Sequence, residues 1–295
     1  MVIVDEALGT PWALLGVDRP DLMQEYHVHK QREEVHARRR LGAVDVVECK
    51  LREQRSDGAR EFVSALVREI AEGDGTKLEL RAAGDAEQSG RAEGMGRIIA
   101  EHTKAMIWSA SLPGEMGPYA VEYFASYVYW RIPNQSRKRE NGEAAEYNTP
   151  YEAYHKMHVD PAVLDKQVHT FGCRAVCHVR PEHRAAWNLD PAAVSVDGIF
   201  LGKAKEKKGW MVLVLGSYEI VDDFTNVILI ENEFPSTEEV VRKNLIKHGY
   251  ADPKTYTETL IKYERDFLDG GEAMRRKAGQ PLRPRRSVGS DRREC

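Results

Sequence analysis

The stretch from Asp57 to Glu93 constrains the fold of this 295-residue chain more than any other. A strand-like run from Val44 to Arg55 leads into Asp57, and Gly58 follows where a chain leaving a strand must turn. Glu93 opens a helical pattern, in which one side is formed by Met95, Ile98, Ile99, His102 and Met106. An Asp at a strand end and a Glu on a nearby helix can share one divalent metal ion.

The context of these two carboxylates is more informative than their spacing. Thirty-five residues lie between Asp57 and Glu93, but a chain with 47 acidic residues offers many such pairs. Carboxylate oxygens are the ligands that Mg²⁺ or Mn²⁺ prefers, and two such ions about 4 Å apart stabilise both attack and departure at a phosphodiester. We therefore expect the carboxylates of Asp57 and Glu93 to lie within roughly 4–8 Å of each other.

Two short tracts around these residues carry a family pattern, namely Arg55-Ser56-Asp57-Gly58-x-x-Glu61-Phe62 and Gln88-x-Gly90-x-Ala92-Glu93. Together they resemble the integrase of Copia-type retrotransposons. The resemblance implies an α/β, ribonuclease H-like core in which two Asp and one Glu bind two metal ions, with Asp57 as the second Asp and Glu93 as the Glu. It also implies Mg²⁺ or Mn²⁺ as cofactor and metal-dependent joining of element DNA ends to target DNA.

The chain departs from the family pattern at three positions and offers two alignments for the first Asp. Gly58, Ser89 and Gly94 stand where the family usually has Asn, Asn and Arg. In the alignment we favour, residues 1–5 form the second strand of the core, and the first strand with its Asp is absent. In the alternative, Asp5 is the first catalytic Asp, 52 residues before Asp57.

The second half of the chain also resembles this family, through Thr149-Pro150-Tyr151-Glu152, Phe171-Gly172-Cys173 and a lysine-rich hairpin over residues 202–209. The resemblance implies an SH3-like β domain after the core. Strands are predicted at 77–80, 175–179, 194–201, 210–215 and 227–230. Helices are predicted at 61–70, at 119–130 as one long helix with an aromatic core face, from Thr149 onward, and at 236–247 and 256–268 as exposed amphipathic helices. The expected organisation is a core over 1–133, a linker over 134–148, the SH3-like domain over 149–235, a helical extension over 236–269 and a basic disordered tail over 270–295.

Several side chains are candidates for contact with DNA. Gln88 and Arg91 precede Glu93, and Arg97 follows it by one helical turn. Arg97 could neutralise a phosphate or pair with a neighbouring glutamate, and the loop before Glu93 could equally be a solvated loop. The hairpin lysines suit phosphate contact but also suit a merely solubilising hairpin; they are Lys203, Lys205, Lys207 and Lys208.

The charge balance does not identify a nucleic-acid-binding protein by itself, because the chain carries a net charge of −4. The sign is uneven, since residues 272–295 hold eight basic and three acidic residues. This tail is expected to bind nucleic acid, to act as a nuclear signal, or to be only a linker between polyprotein segments.

The four cysteines lack CxxC spacing. We therefore favour the interpretation of Cys173 and Cys177 as core residues over a zinc site formed with nearby histidines. Few cysteines and no signal peptide predict an intracellular protein, with the nucleus expected for DNA integration. No apolar run is long enough to span a membrane. DNA, as element ends and target, is the expected partner, and integrase cores usually act as homo-oligomers.

Two hypotheses of different classes follow. The first is an enzyme that transfers element DNA into target DNA at Asp57 and Glu93. The second is a catalytically inactive, transposon-derived fragment that retains contacts with nucleic acid.

Overall fold

The structure is a computed structural model, and it describes residues 2–4, 10–13, 19–41, 53–56, 72–73, 75–80, 90–133, 146–179, 184, 192, 194–204 and 207–253. The chain is a mixed α/β protein, as the sequence predicts at that level. The predicted helices over 61–70 and 256–268 and the tail over 270–295 lie outside the described residues.

The first part of the chain contains two small pieces of sheet and one long helix. Strands β1 (Val2–Val4) and β2 (Pro11–Ala13) pair antiparallel, and α1 (Arg19–Leu41) follows with a proline near its start. Strands β3 (Glu53–Ser56) and β4 (Lys77–Leu80) pair in parallel. The buried Lys30 ammonium donates to Thr76 Oγ1 at 2.9 Å, which ties α1 to the start of β4.

Helix α2 (Gly90–Ser109) connects the two parts of the molecule through its apolar stripe. Its first half buries Met95 and Ile99 in a small cluster with Phe124 and Ala125, against which Val4 of β1 also packs. Its second half places Ile107 in the main core. The stripe with helical spacing therefore faces two different partners along one helix.

The next helical segment, where the sequence predicts one long helix, has three parts. An α-helix, α3 (Gly117–Tyr123), continues through a π-helical turn (Phe124–Val128) into α4 (Tyr129–Arg131), with a 3₁₀ turn at Gly114–Met116 before it. A π-helical turn widens the helix by about one residue and recurs at functional sites. Here it stacks the rings of Tyr123 and Tyr127 with their centroids 5.6 Å apart.

Two short helices then precede the main sheet. Helix α5 (Pro150–His155) begins at a capping box, in which Thr149 Oγ1 accepts from the Glu152 N–H and the Glu152 carboxylate accepts from the Thr149 N–H. Helix α6 (Pro161–Asp165) is capped by Asp160. The predicted helix opening at Thr149 is thereby confirmed.

A five-stranded antiparallel sheet forms the centre of the second part. Its strands are β5 (Arg174–His178), β6 (Ser195–Lys203), β7 (Trp210–Val214), β8 (Ile220–Phe224) and β9 (Val227–Ile230), in the order β8-β7-β6-β5-β9. Four of these strands were predicted; β8 was not. A 3₁₀ turn (Pro235–Thr237) and α7 (Glu239–Lys247) follow, and the burial of Val241 and Leu245 shows that the predicted exposed helix packs on the core.

The main hydrophobic core lies between this sheet and the helices that precede it. Ile107, Leu112, Met116 and Tyr123 pack in one cluster with residues of β5, β6 and β7. The predicted segments 1–133 and 149–235 therefore contribute side chains to a common core. The boundary between them remains a prediction.

Cys173 and Cys177 are free thiols with no solvent exposure, in this same core. Burial raises the pKa of each thiol to about 12, so both side chains behave as small apolar groups. This agrees with the interpretation of the pair as core residues. Among the described residues, no group of three or more His, Cys, Asp or Glu side chains is arranged to hold a metal ion.

None of the helices in the described ranges combines the length and apolar character required to cross a lipid bilayer.

Candidate functional site

The two residues predicted to bind metal differ in how far the structure defines them. Strand β3 ends at Ser56, so Asp57 is the next residue along the chain, but Asp57 itself lies outside the described residues. Glu93 lies in the first turn of α2 with an exposed side chain. The predicted separation of roughly 4–8 Å between their carboxylates therefore remains a prediction.

The predicted DNA contacts near Glu93 are only partly described. Gln88 lies outside the described residues, and Arg91 lies in the first turn of α2. Arg97 is exposed one turn after Glu93 on the same helix. An acidic and a basic residue four apart lie on one face of a helix, which agrees with the orientation expected for Arg97.

The four hairpin lysines do not share one environment. The Lys207 ammonium lies 3.0 Å from Asp222 Oδ1 and 3.9 Å from Asp223 Oδ2, both on β8. Lys208 is exposed, and Lys205 lies outside the described residues. Lys203 is half-buried at the end of β6, with its Nζ atom 4.5 Å from the centroid of the Trp210 ring. Of the three described lysines, Lys203 has the most specific surroundings.

Arg131, which is not among the site residues predicted from the sequence, contacts the same group of aromatic rings as Lys203. Its guanidinium carbon is 3.6 Å from the centroid of the Tyr127 ring and 4.9 Å from that of Tyr151, so two tyrosines flank the cation. The Tyr127 ring in turn meets the Trp210 ring edge-on at 6.2 Å. We refer to Tyr127, Arg131, Tyr151, Lys203 and Trp210 as the cation–aromatic cluster.

The cation–aromatic cluster is held in place by a polar frame. The Tyr123 hydroxyl lies 2.9 Å from both the carbonyl oxygen and the amide nitrogen of His169, donating to the first and accepting from the second. The Glu231 carboxylate accepts from the Thr170 hydroxyl at 2.7 Å and from its N–H at 3.1 Å. The His169 ring then lies edge-on against Trp210 at 5.2 Å. The loop before β5 thus fixes one side of Trp210.

The electrostatics of the cluster are set by burial and by like charge. Burial lowers the pKa of Lys203 below its ordinary value, and the positive charge of Arg131 lowers it further. Burial also lowers the pKa of Arg131. Neither cation has an ion-pair partner among the carboxylates of the described residues. Two half-buried positive charges therefore lie on the same pair of contacting rings, Arg131 on Tyr127 and Lys203 on Trp210.

A sequence signal for Arg131 exists, although it is weak. Tyr123, Tyr127 and Arg131 recur every four residues, which places them on one helix face. The aromatic members of that series were interpreted as a core face, and this holds for Tyr123, which is 2% exposed. Tyr127 and Arg131 continue the series to the edge of the core, where a cation can reach solvent.

Comparison with known proteins gives one informative match. No protein family model matches the chain. The chain is 29% identical over 161 residues to a retrovirus-related Pol polyprotein from transposon TNT 1-94 of Nicotiana tabacum. The match covers 55% of this chain and 11% of that polyprotein, so the chain spans only about a tenth of its relative's length. This similarity supports derivation of the chain from a retrotransposon Pol polyprotein.

Proposed function

We propose that this chain derives from the integrase of a Copia-type retrotransposon and that its function is metal-dependent transfer of element DNA into target DNA, impaired here because the favoured alignment assigns the first catalytic Asp to none of its residues. The observation that carries the proposal is the local structure around the two family-like motifs. Asp57 directly follows strand β3, and Glu93 is exposed in the first turn of α2. The Pol polyprotein similarity supports the same origin.

The arrangement of the strands supports a ribonuclease H-like core followed by an SH3-like barrel. Parallel strands need a crossover connection, and residues 57–76 between β3 and β4 are long enough to provide one. In the main sheet, β5 to β8 form a meander and β9 returns to pair with β5. Such an order lets a short twisted sheet curl toward a small barrel.

The metal requirement is consistent with the donor that the structure describes. A solvent-exposed carboxylate such as Glu93 is a suitable oxygen ligand for Mg²⁺ or Mn²⁺, and Asp57 would be its partner. When bound, such ions supply charge stabilisation at the phosphate that reacts. In the proposed reaction, a 3′-hydroxyl oxygen of element DNA bonds to a target phosphorus, and the bond from that phosphorus to the target 3′-oxygen breaks.

The chain's own residues would position the DNA for this step. The carboxylates of Asp57 and Glu93 would supply the negative charge that binds the metal ions. Arg97, one turn along α2 from Glu93, is placed to neutralise a nearby phosphate. Gln88 and Arg91 precede Glu93 on the same segment and would contact the DNA end.

Mn²⁺ binding tests the proposal directly. Electron paramagnetic resonance of free Mn²⁺ should show binding to the wild-type chain that is weakened by Asp57→Asn and by Glu93→Gln. Glu101→Gln is the matched control, because Glu101 is an exposed glutamate two turns further along α2. Equal Mn²⁺ binding by all four proteins would contradict the assignment of Asp57 and Glu93.

The second hypothesis, a catalytically inactive fragment that binds nucleic acid, is separated from the first by activity. A strand-transfer assay with a short donor duplex and a plasmid target measures joining, while an anisotropy assay measures binding. Weak joining that Asp57→Asn and Glu93→Gln abolish would favour an impaired enzyme, whereas binding with no detectable joining, under conditions in which Mn²⁺ binds, would favour the inactive fragment.

A further inference from the structure

The cation–aromatic cluster is a built arrangement that the proposed strand transfer at Asp57 and Glu93 does not use. It lies where α4 and α5 meet the ends of β6 and β7, and each of its members belongs to one of these elements or to the adjoining helical turn. Lys203 and Trp210 are directly paired across the two strands. The backbone of these described elements therefore fixes the positions of all five members of the cluster.

The guanidinium of Arg131 is oriented by two hydrogen bonds, and its other N–H groups have no acceptor among the described residues. Its Nε donates to Gln167 Oε1 at 3.0 Å and its Nη1 donates to the Tyr127 carbonyl oxygen at 2.9 Å. A guanidinium has five N–H groups. The Nη2 atom has no acceptor within the described part of the chain. An oriented guanidinium edge with unfilled donors is suited to an oxyanion.

Lys203 adds a second positive charge to the same place. Its ammonium lies over the Trp210 ring, and no acceptor for it is found among the described residues. The contacting rings of Tyr127 and Trp210 link the two half-buried cations, and no carboxylate of the described residues offsets their charge. A bound anion would satisfy both cations at once.

We propose that Arg131 and Lys203 together bind one phosphate group of a DNA backbone, with Tyr127, Tyr151 and Trp210 as the rigid wall of the site. A planar guanidinium fork beside a compact ammonium matches the tetrahedral phosphate, which offers oxygens to both. The choice of DNA rests on the proposed function, whereas the anion site rests on the geometry of the cluster. A phosphodiester is common to single-stranded and duplex DNA, so both forms are probes.

Fluorescence anisotropy with dye-labelled 20-nucleotide DNA, as single strand and as duplex, tests this site at several salt concentrations. The wild-type chain should bind at low salt. Lys203→Gln and Arg131→Gln should each weaken binding, and each should reduce the slope of log affinity against log salt by less than one full phosphate contact, because the other cation remains. The double variant removes the single phosphate contact and should reduce the slope of log affinity against log salt by about 0.9 on duplex DNA, or about 0.7 on single strands. A larger loss on one probe identifies the form of DNA that the site prefers.

Matched controls separate this site from general charge. The pair Lys243→Gln and Lys247→Gln removes two exposed positive charges from α7, which contributes no residue to the cluster, and should change the slope much less. Arg131→Lys keeps the charge without the fork and should retain the salt slope with weaker binding. Thermal unfolding of each variant identifies those that remain folded, and Lys203→Gln is informative even if Arg131→Gln unfolds, because Lys203 lies at a strand end.

The proposal is overturned if the wild-type chain does not bind either DNA at low salt. It is also overturned if folded Lys203→Gln binds with the affinity and salt slope of the wild type, or if the α7 control pair loses as much as the cluster variants. These variants leave Asp57 and Glu93 intact, so Mn²⁺ binding should be unchanged in all of them. Failure of the phosphate site and failure of the proposed metal site are therefore distinguishable.

Discussion

Lys203 and Trp210 lie opposite each other on neighbouring antiparallel strands, and the Lys203 ammonium is 4.5 Å from the centroid of the Trp210 ring. Trp210 also contacts Tyr127, Phe200 and His169 through edge-on ring contacts. One strand pair thus connects the lysine-rich hairpin, the π-helical turn and the loop before β5. The relationship makes Lys203 a defined part of the structure rather than a solvated hairpin residue.

The titration of Lys203 should report its distance from Arg131. Burial and then the Arg131 charge lower the pKa of Lys203, so Arg131→Gln should raise this pKa toward its ordinary value without restoring it fully. NMR titration of the Lys203 side chain in ¹³C-lysine-labelled protein measures the change. Lys247→Gln removes an exposed charge elsewhere and should leave the Lys203 titration as it is; an unshifted Lys203 in Arg131→Gln would show that the two cations do not interact.

Gly172→Ala should destabilise the chain because Gly172 lies where a helix end meets the sheet. Its φ is +80°, and a Cβ atom there would lie 2.3 Å from the Ala110 Cβ. Left-handed backbone and overpacking together predict a loss of about 2 kcal/mol or more in the free energy of unfolding. Urea unfolding measures it.

The matched glycine is Gly94, inside α2, where a Cβ atom would meet nothing within 4 Å. Gly94→Ala should raise the free energy of unfolding by about 0.5–1 kcal/mol, since alanine stabilises a helix interior. In the double variant Gly172→Ala/Ala110→Gly, relief of the clash should restore part of the loss. A Gly172→Ala protein as stable as the wild type would contradict the close approach of this turn to Ala110.

Glu152 should stabilise the fold in a pH-dependent way. The residue is 2% exposed, and its carboxylate accepts from the N–H groups of Asn148, Thr149 and Val159 at 2.9 Å. Burial alone would raise the pKa of this carboxyl, but the hydrogen bonds outweigh burial and lower it. The stabilisation is therefore fully present above the unfolded pKa of about 4.3 and is lost as pH falls through the lower folded pKa.

Glu152→Gln removes this titration and should cost about 1–3 kcal/mol of unfolding free energy at pH 7. The difference from wild type should shrink as the solution becomes more acidic than about pH 4. Glu239→Gln, an exposed glutamate on α7, should stay within about 0.5 kcal/mol of wild type. A wild-type advantage over Glu152→Gln that does not change down to acid pH would contradict a lowered carboxyl pKa.

Strand transfer distinguishes the two alignments of the first Asp. The favoured alignment assigns that Asp to no residue of this chain, and a missing carboxylate weakens the binding of both metal ions. We therefore expect little or no joining of a donor duplex with Mg²⁺ or Mn²⁺. The gel assay for joined products should therefore be nearly blank. Robust joining that disappears in Asp5→Asn would show instead that Asp5 is the catalytic Asp.

The arginine-rich tail should add sequence-independent attraction to DNA. Residues 272–295 carry a net charge of +5 in a chain of net charge −4. Engaging four to six of these cations would give a salt slope of roughly −4 to −5 on duplex DNA. Deleting residues 272–295 should flatten the slope for all sequences alike, whereas unchanged affinity would identify the tail as a linker.

The sequence by itself determined the elements whose local pattern is unambiguous. β4 and β9 have the predicted bounds, α2 has the predicted apolar stripe, and Thr149 and Glu152 mark the start of a helix through a capping box. Cys173 and Cys177 are core residues, as predicted. These features depend on interactions within a few residues, so the order of side chains is enough to specify them.

Tertiary structure alone decided β8 and the cation–aromatic cluster. Strand β8 carries Asp222 and Asp223, which disfavour a strand locally; pairing with β7 and the Lys207 ammonium stabilise it there. Arg131 and Lys203 are 72 positions apart, and Lys203 comes near Arg131 only because α3 and the π-helical turn pack against β6 and β7. The free energy of such contacts depends on long-range packing, which no local pattern of residues encodes.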